Sequence, residues 1–194
     1  MKKVILCALC ALMGLNSLAQ EYPKNELSLT YGGLSIPYVA VSVAGVLGSV
    51  ITGIVTDGDV VLERVGTSGT FGFQYYHNFH RHFGYGAEVI YESCSLKFTD
   101  VPPGRVNFLS VMPSMKGRWF QGDVFGMYSR VSAGLCTRVI PLLEWIDEGA
   151  PVSVQFGYHV VPVGMSIGSK QLKFIAEIGL GMGPMIGAGV VYGF

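Results

Sequence analysis

The chain has 194 residues, thirteen basic and thirteen acidic, so it carries no net charge with its four histidines neutral. Half of the residues are hydrophobic, only 13% are charged and 27 are glycine, whereas a soluble domain ordinarily carries about 25% charged residues. This balance argues against an ordinary water-facing surface, and the lack of a basic excess argues against a nucleic-acid partner.

In chain order, Met1-Lys2-Lys3 precede the apolar run Val4–Met13, the layout of a secretory signal peptide. The run is too short to span a membrane. Residues 1–20, ending Leu18-Ala19-Gln20, are expected to be removed, leaving residues 21–194 as one domain. Neither Cys7 nor Cys10 follows the small residue a lipoprotein site needs, so no lipid anchor is expected. Residues 21–194 keep eleven basic and thirteen acidic side chains and two cysteines, Cys94 and Cys136. Two cysteines make neither a disulfide framework nor a metal site, and no cofactor is expected.

Eight segments then alternate with period two, the mark of strands with two unlike faces. Leu27, Leu29 and Tyr31 alternate with Glu26, Ser28 and Thr30; Phe71, Phe73 and Tyr75 with Thr70, Gly72, Gln74 and Tyr76. Tyr85, Ala87, Val89 and Tyr91 alternate with Gly84, Gly86, Glu88 and Glu92; Leu109, Val111, Pro113 and Met115 with Ser110, Ser114, Lys116 and Arg118. Phe125, Met127, Val131 and Leu135 alternate with Tyr128, Arg130, Ser132, Gly134 and Arg138; Val152, Val154, Phe156 and Tyr158 with Ser153, Gln155, Gly157 and His159. Leu172, Phe174, Ala176 and Ile178 alternate with Lys173, Glu177 and Gly179, and Ile186, Ala188, Val190, Tyr192 and Phe194 with Gly187, Gly189 and Gly193. One face is aliphatic and aromatic; the other is glycine, hydroxyl and sparse charge, which suits a narrow enclosed lumen. A sheet can cross lipid only if it closes. The expected fold is therefore all-β, an eight-stranded antiparallel up-and-down transmembrane β-barrel.

Short turns are expected at Asn78–His82, Phe120–Asp123 and Ile167–Lys170, on the periplasmic side with both termini. Extracellular connectors are expected at 36–66, Thr99–Gly104, Val139–Pro151 and Gly181–Pro184. Tyr75, Phe83, Trp119, Phe125, Tyr192 and Phe194 fall near the periplasmic rim, where an aromatic girdle belongs. Pro113 and Pro162 interrupt proposed strands, and each is expected to sit at a bulge or strand end.

The first connector, 36–66, is long. Val39, Val43, Val46, Leu47, Val50, Ile51, Ile54 and Val55 follow a helical spacing, and Ile36–Val55 contains no charge. Hydropathy alone would permit a spanning helix there. A helix or folded loop on the barrel mouth keeps the eight-strand topology and is the reading we favour. Its surface packs as a loop or binds an extracellular ligand or lipid.

Eight charges are expected to point inward: Glu88, Glu92, Lys116, Arg118, Arg130, Arg138, Lys173 and Glu177. Buried charge must be paired, so a lumen ion-pair network is the leading reading. A constricted channel lined by Arg130 and Glu177 is the alternative. His159, with Ser153 and Gln155 on its face and Glu177 one strand away, leaves a lipid-modifying enzyme as a third reading. His77, His80 and His82 crowd one turn; such histidines more often face water than bind metal. Cys94 and Cys136 are separated by an intervening strand and are not expected to pair.

The segments Val161-Pro162-Val163-Gly164, Phe174 to Gly181 and Gly187 to Phe194 resemble the closing strands of porin-like outer-membrane β-barrel domain proteins, small barrels of the OmpA/OmpX type. The resemblance is specific over residues 161–194, and the long apolar first loop departs from the shortest members. It implies a cell outer-membrane location in a Gram-negative envelope, with outer-membrane lipid as the surroundings. It also implies that Tyr192 and Phe194 form the terminal signal read by the barrel-insertion machinery. It implies no particular activity. The expectation is a non-enzymatic barrel with a structural role and loops for surface interaction.

Overall fold

The computed structural model describes residues 23–55, 62–98, 101–139 and 152–194. The expected signal peptide lies outside them, as do residues 140–151 of the Val139–Pro151 connector. In chain order the elements are β1 (Asn25–Gly33), α1 (Ile36–Val55), β2 (Leu62–His80), β3 (Phe83–Phe98), β4 (Val101–Gln121), β5 (Phe125–Val139), β6 (Val152–Gly168), β7 (Leu172–Gly181) and β8 (Ile186–Gly193). Each strand pairs antiparallel with the next, and β1 also pairs with β8, with Leu29 opposite Val190. The sheet is a closed eight-stranded barrel, so its backbone donors and acceptors have no free margin to leave unpaired.

Side chains sort by face as the alternation demands. Leu29, Phe73, Phe156 and Ile186 are 55%, 44%, 69% and 66% exposed, whereas Gln74, Glu88, Arg130 and His159 are 0%, 1%, 2% and 0% exposed. This is the reverse of a soluble protein, in which charge is almost never fully buried and large apolar patches are rarely displayed. With water on the outside such a surface would associate; with hydrocarbon on the outside it is the stable arrangement.

The short turns at 81–82, 122–124 and 169–171 lie at one end with the strand ends nearest both termini; this is called the turn end. Aromatic rings gather there: Phe79 and Phe83 are 6.5 Å apart, Phe120 and Phe125 6.0 Å, and Tyr192 and Phe194 5.9 Å. Trp119 is exposed beside them.

At the other end, the helix end, the strands run longer than the periodicity suggests. The connector expected at 36–66 is shorter: β2 begins at Leu62, opposite Phe98. The connector expected at Thr99–Gly104 reduces to residues 99–100, because Val101 pairs with Phe98. Register shifts hide these extensions. The bulge between Thr67 and Thr70 places Gly69 at φ 77°, a left-handed conformation that glycine adopts at no steric cost. The bulge inverts the inward parity, so Thr67 and Thr70 both serve the interior.

Pro162 lies at an irregularity, between the shifts at Tyr128/Arg130 on the β5 side and Val160/Val163 on the β7 side. Pro113 does not. It pairs in straight register with Ala87, and pairing to β5 lapses after Val111–Leu135 and resumes unchanged at Ser114–Ser132. One missing N–H donor interrupts a ladder without forcing an extra residue into it, which corrects the expected bulge.

Candidate functional site

The interior is stacked in layers along the barrel axis. Nearest the turn end, Glu26 of β1 accepts from Lys116 Nζ at 2.9 Å and Arg118 Nη2 at 2.8 Å. Arg118 Nη2 also donates to Asn78 Oδ1 at 2.5 Å. The Lys116 ammonium stands over the Tyr128 ring, 4.2 Å from its centroid, a favourable position for a desolvated cation.

The middle layer centres on Arg130. Its guanidinium spans two carboxylates, Glu88 at 3.0 Å from Nη1 and Glu177 at 2.8 Å from Nη2. Further donors surround both carboxylates. Glu88 accepts from Ser132 Oγ at 2.6 Å, Gln74 Nε2 at 3.2 Å and His159 Nδ1 at 3.2 Å. Glu177 accepts from the Tyr128 hydroxyl at 2.7 Å. Tyr76 and Ser114 exchange a hydrogen bond at 2.6 Å and fill the space beside them. His159 fits because two neighbours have no side chain: a Cβ at Gly179 would stand 2.7 Å from its Nε2, and one at Gly183 2.3 Å from its Cε1.

Above this layer, Glu92 meets no cation among the described residues. It accepts from Thr67 Oγ1 at 3.0 Å and forms a short hydrogen bond with Ser35 Oγ. The same Ser35 oxygen accepts from the Tyr38 N–H at 3.1 Å, the N-cap bond that starts a helix. Pro37, in the first turn, needs no intrahelical donor. Leu34, at φ 59°, turns the chain from β1 into this cap.

The last layer is apolar. Cys94, Val106, Phe108 and Cys136 point inward, are buried, and pack against Tyr38 and Val41 of α1 with Leu96 and Met182. The helix therefore lies in the barrel mouth, in contact with β2, β3 and β7. It is a lid element on a barrel already closed without it, which disposes of a separate spanning role. Val39, Val43, Val46 and Leu47 remain exposed on its far side. The side chains of Val50, Ile51 and Ile54 lie outside the described residues.

Several expected site residues thus occupy other roles. Of the eight charges, Glu88, Lys116, Arg118, Arg130 and Glu177 form ion pairs, and Glu92 is held by hydroxyls. Lys173 donates to the Gly122 carbonyl at 3.0 Å. Arg138, half-buried toward the helix end, belongs to none of the pairs formed among the described residues. Glu26 was not expected among the pairs, although it shares the inward parity of Ser28 and Thr30. Balancing inward cations against inward acids would have pointed to it. His159 meets Glu88 across the barrel and not Glu177, so the triad conceived for the enzyme reading is not assembled. Cys94 and Cys136 are unbonded thiols. His77 pairs with Asn25 at 3.0 Å and His82 with the Arg118 carbonyl at 3.1 Å. No group of three metal-ligating side chains forms among the described residues.

No family model matches the chain, and no curated protein does. Among solved structures it is similar to the N-terminal β-barrel domain of Pseudomonas aeruginosa OprF, at 10% identity and a TM-score of 0.42, covering 89% of this chain and 99% of that one. It is also similar to Ail, the attachment invasion locus protein of Yersinia pestis, solved with the heparin analogue sucrose octasulfate, at 11% identity and a TM-score of 0.43, covering 87% and 94%. In strand number, meander order and closure, the chain is an eight-stranded up-and-down barrel. That statement rests on the chain's own pairing, and it extends to fold alone.

Proposed function

We propose that this protein is a non-enzymatic, non-conducting integral barrel of a Gram-negative outer membrane. The turn end faces the periplasm, and α1 is displayed outside as the contact surface. The observation that carries the reading is the filled bore. Between the two mouths lie the Glu26–Lys116–Arg118 cluster, the Arg130 layer, the Ser35–Glu92 bridge and the apolar plug under α1. Eight strands leave an interior that side chains can fill, and here bulky tyrosines and paired ions occupy it. The aromatic girdle at the turn end, which includes the Tyr192–Phe194 stack, and the expected secretion signal support the location and assembly by the barrel-insertion machinery. The exposed valine row of α1 supports contact with the outer-leaflet interface or an extracellular ligand.

Planar-bilayer recording of the refolded full chain tests the closed bore. The expected result is no unitary conductance above the bare bilayer. Discrete openings would favour a narrow porin-like channel, for which ions would have to displace Arg130 from two carboxylates.

A further inference from the structure

The barrel interior is not closed equally at its two ends. At the turn end a cavity of about 40 Å³ opens toward the short turns, lined among others by Glu26, Lys116, Arg118, Lys173 and Ser166. A water molecule needs roughly 10–15 Å³ of such space, so the cavity holds about three waters or one group the size of phosphate.

Its charge is unbalanced. Glu26 is the one carboxylate among those five residues, and Lys116 and Arg118 already share it. Lys173 adds a third cation, whose ammonium donates to the Gly122 carbonyl at 3.0 Å and feels the charges of Glu26 and Asp123. The middle layer offsets part of this, because Arg130 faces both Glu88 and Glu177. Counted together, the two layers hold four cations against three carboxylates, and the surplus lies at the open end. Lys170 also lines the cavity, on its exposed side, and pairs with Asp123 at 3.5 Å, so the two charges offset each other in the balance.

Arg118 supplies an independent sign. It is 7% exposed, its Nη2 serves Glu26 and Asn78, and its Nη1 has no hydrogen-bond partner. A buried guanidinium donor left without an acceptor is costly, and a planar guanidinium matches oxyanions well. Gly126 keeps the space open, since a Cβ there would stand 2.7 Å from Ser166 Oγ.

We propose that this vestibule binds a small oxyanion of the phosphate class, admitted from the turn end and held by Lys116, Arg118 and Lys173. The ion neutralises the surplus charge. Nothing in this site depends on the bore being sealed or on what α1 contacts.

The test uses the isotope-labelled full chain refolded in detergent micelles and titrated with inorganic phosphate, with chloride at matched ionic strength as control. Saturable shifts are expected at the amides of residues 116–118, 126–128, 166 and 173, with half-saturation at about 1 mM. Lys173→Gln is expected to weaken binding about tenfold, and Lys97→Gln, at the opposite end of the barrel, to leave it unchanged. Lys173→Met keeps the aliphatic stem and serves if the glutamine variant does not refold. Shifts that never saturate, shifts that chloride reproduces, or equal affinity in the Lys173 variants would overturn the proposal.

Discussion

Arg130 shows at the scale of one residue what holds the interior together. It bridges carboxylates from β3 and β7, and all three side chains are at least 96% buried. Removing one partner from a buried ion cluster leaves uncompensated charge and costs about 3–5 kcal/mol. Arg130→Met should therefore lower the stability of the micelle-refolded protein by that amount, read from urea unfolding followed by tryptophan fluorescence. A loss below about 1 kcal/mol would place the cluster among pairs of little consequence. The residue scale is also where the sequence was least legible. Alternation assigned Glu88, Glu92 and His159 to the interior, but parity fixes the face and not the height along the axis. Which residues meet across a tilted, staggered barrel depends on register summed around eight strands. Glu88 therefore found His159 on β6, Lys116 found Glu26 on β1, and Glu92 found the hydroxyls of Ser35 and Thr67.

At the scale of elements, Ser35 gives α1 a polar tie to the barrel beside the apolar packing of Tyr38 and Val41. Ser35 both caps the helix and bonds Glu92 on the wall. Ser35→Ala removes the cap, worth about 0.5–2 kcal/mol, and leaves Glu92 one donor short. Amide exchange should then quicken over residues 36–47 by about tenfold or more, while β3 and β4 remain protected. Unchanged exchange in α1 would mean that apolar packing of Tyr38 and Val41 alone seats it. The helical spacing of the valines anticipated this element. The strand ends were harder to see, because the Thr67–Thr70 bulge inverts parity and the alternation appears to stop there. Pro113 misled in the other direction: a proline within a run signals a bulge, yet a closed sheet bridges the one absent donor.

At the scale of the whole molecule, the fold follows from a single partition. Apolar side chains face outward and polar ones inward on every strand, and a sheet so divided in lipid must join its first strand to its last. That partition was legible from residues 26–194 because it repeats with the backbone's own period. Closure between β1 and β8 was an inference from it, and it is the feature to test. Leu29 and Val190 are direct partners across that seam and both face outward. Opposed strand positions lie within the Cα separation of about 4.4–6.8 Å that a disulfide needs. The Leu29→Cys/Val190→Cys variant, refolded in lipid and mildly oxidised, should form the 29–190 disulfide in nearly every molecule, detected by peptide mass analysis. An oxidised protein whose two new cysteines remain free, while a Tyr31→Cys/Phe71→Cys control across β1 and β2 links, would contradict a closed barrel.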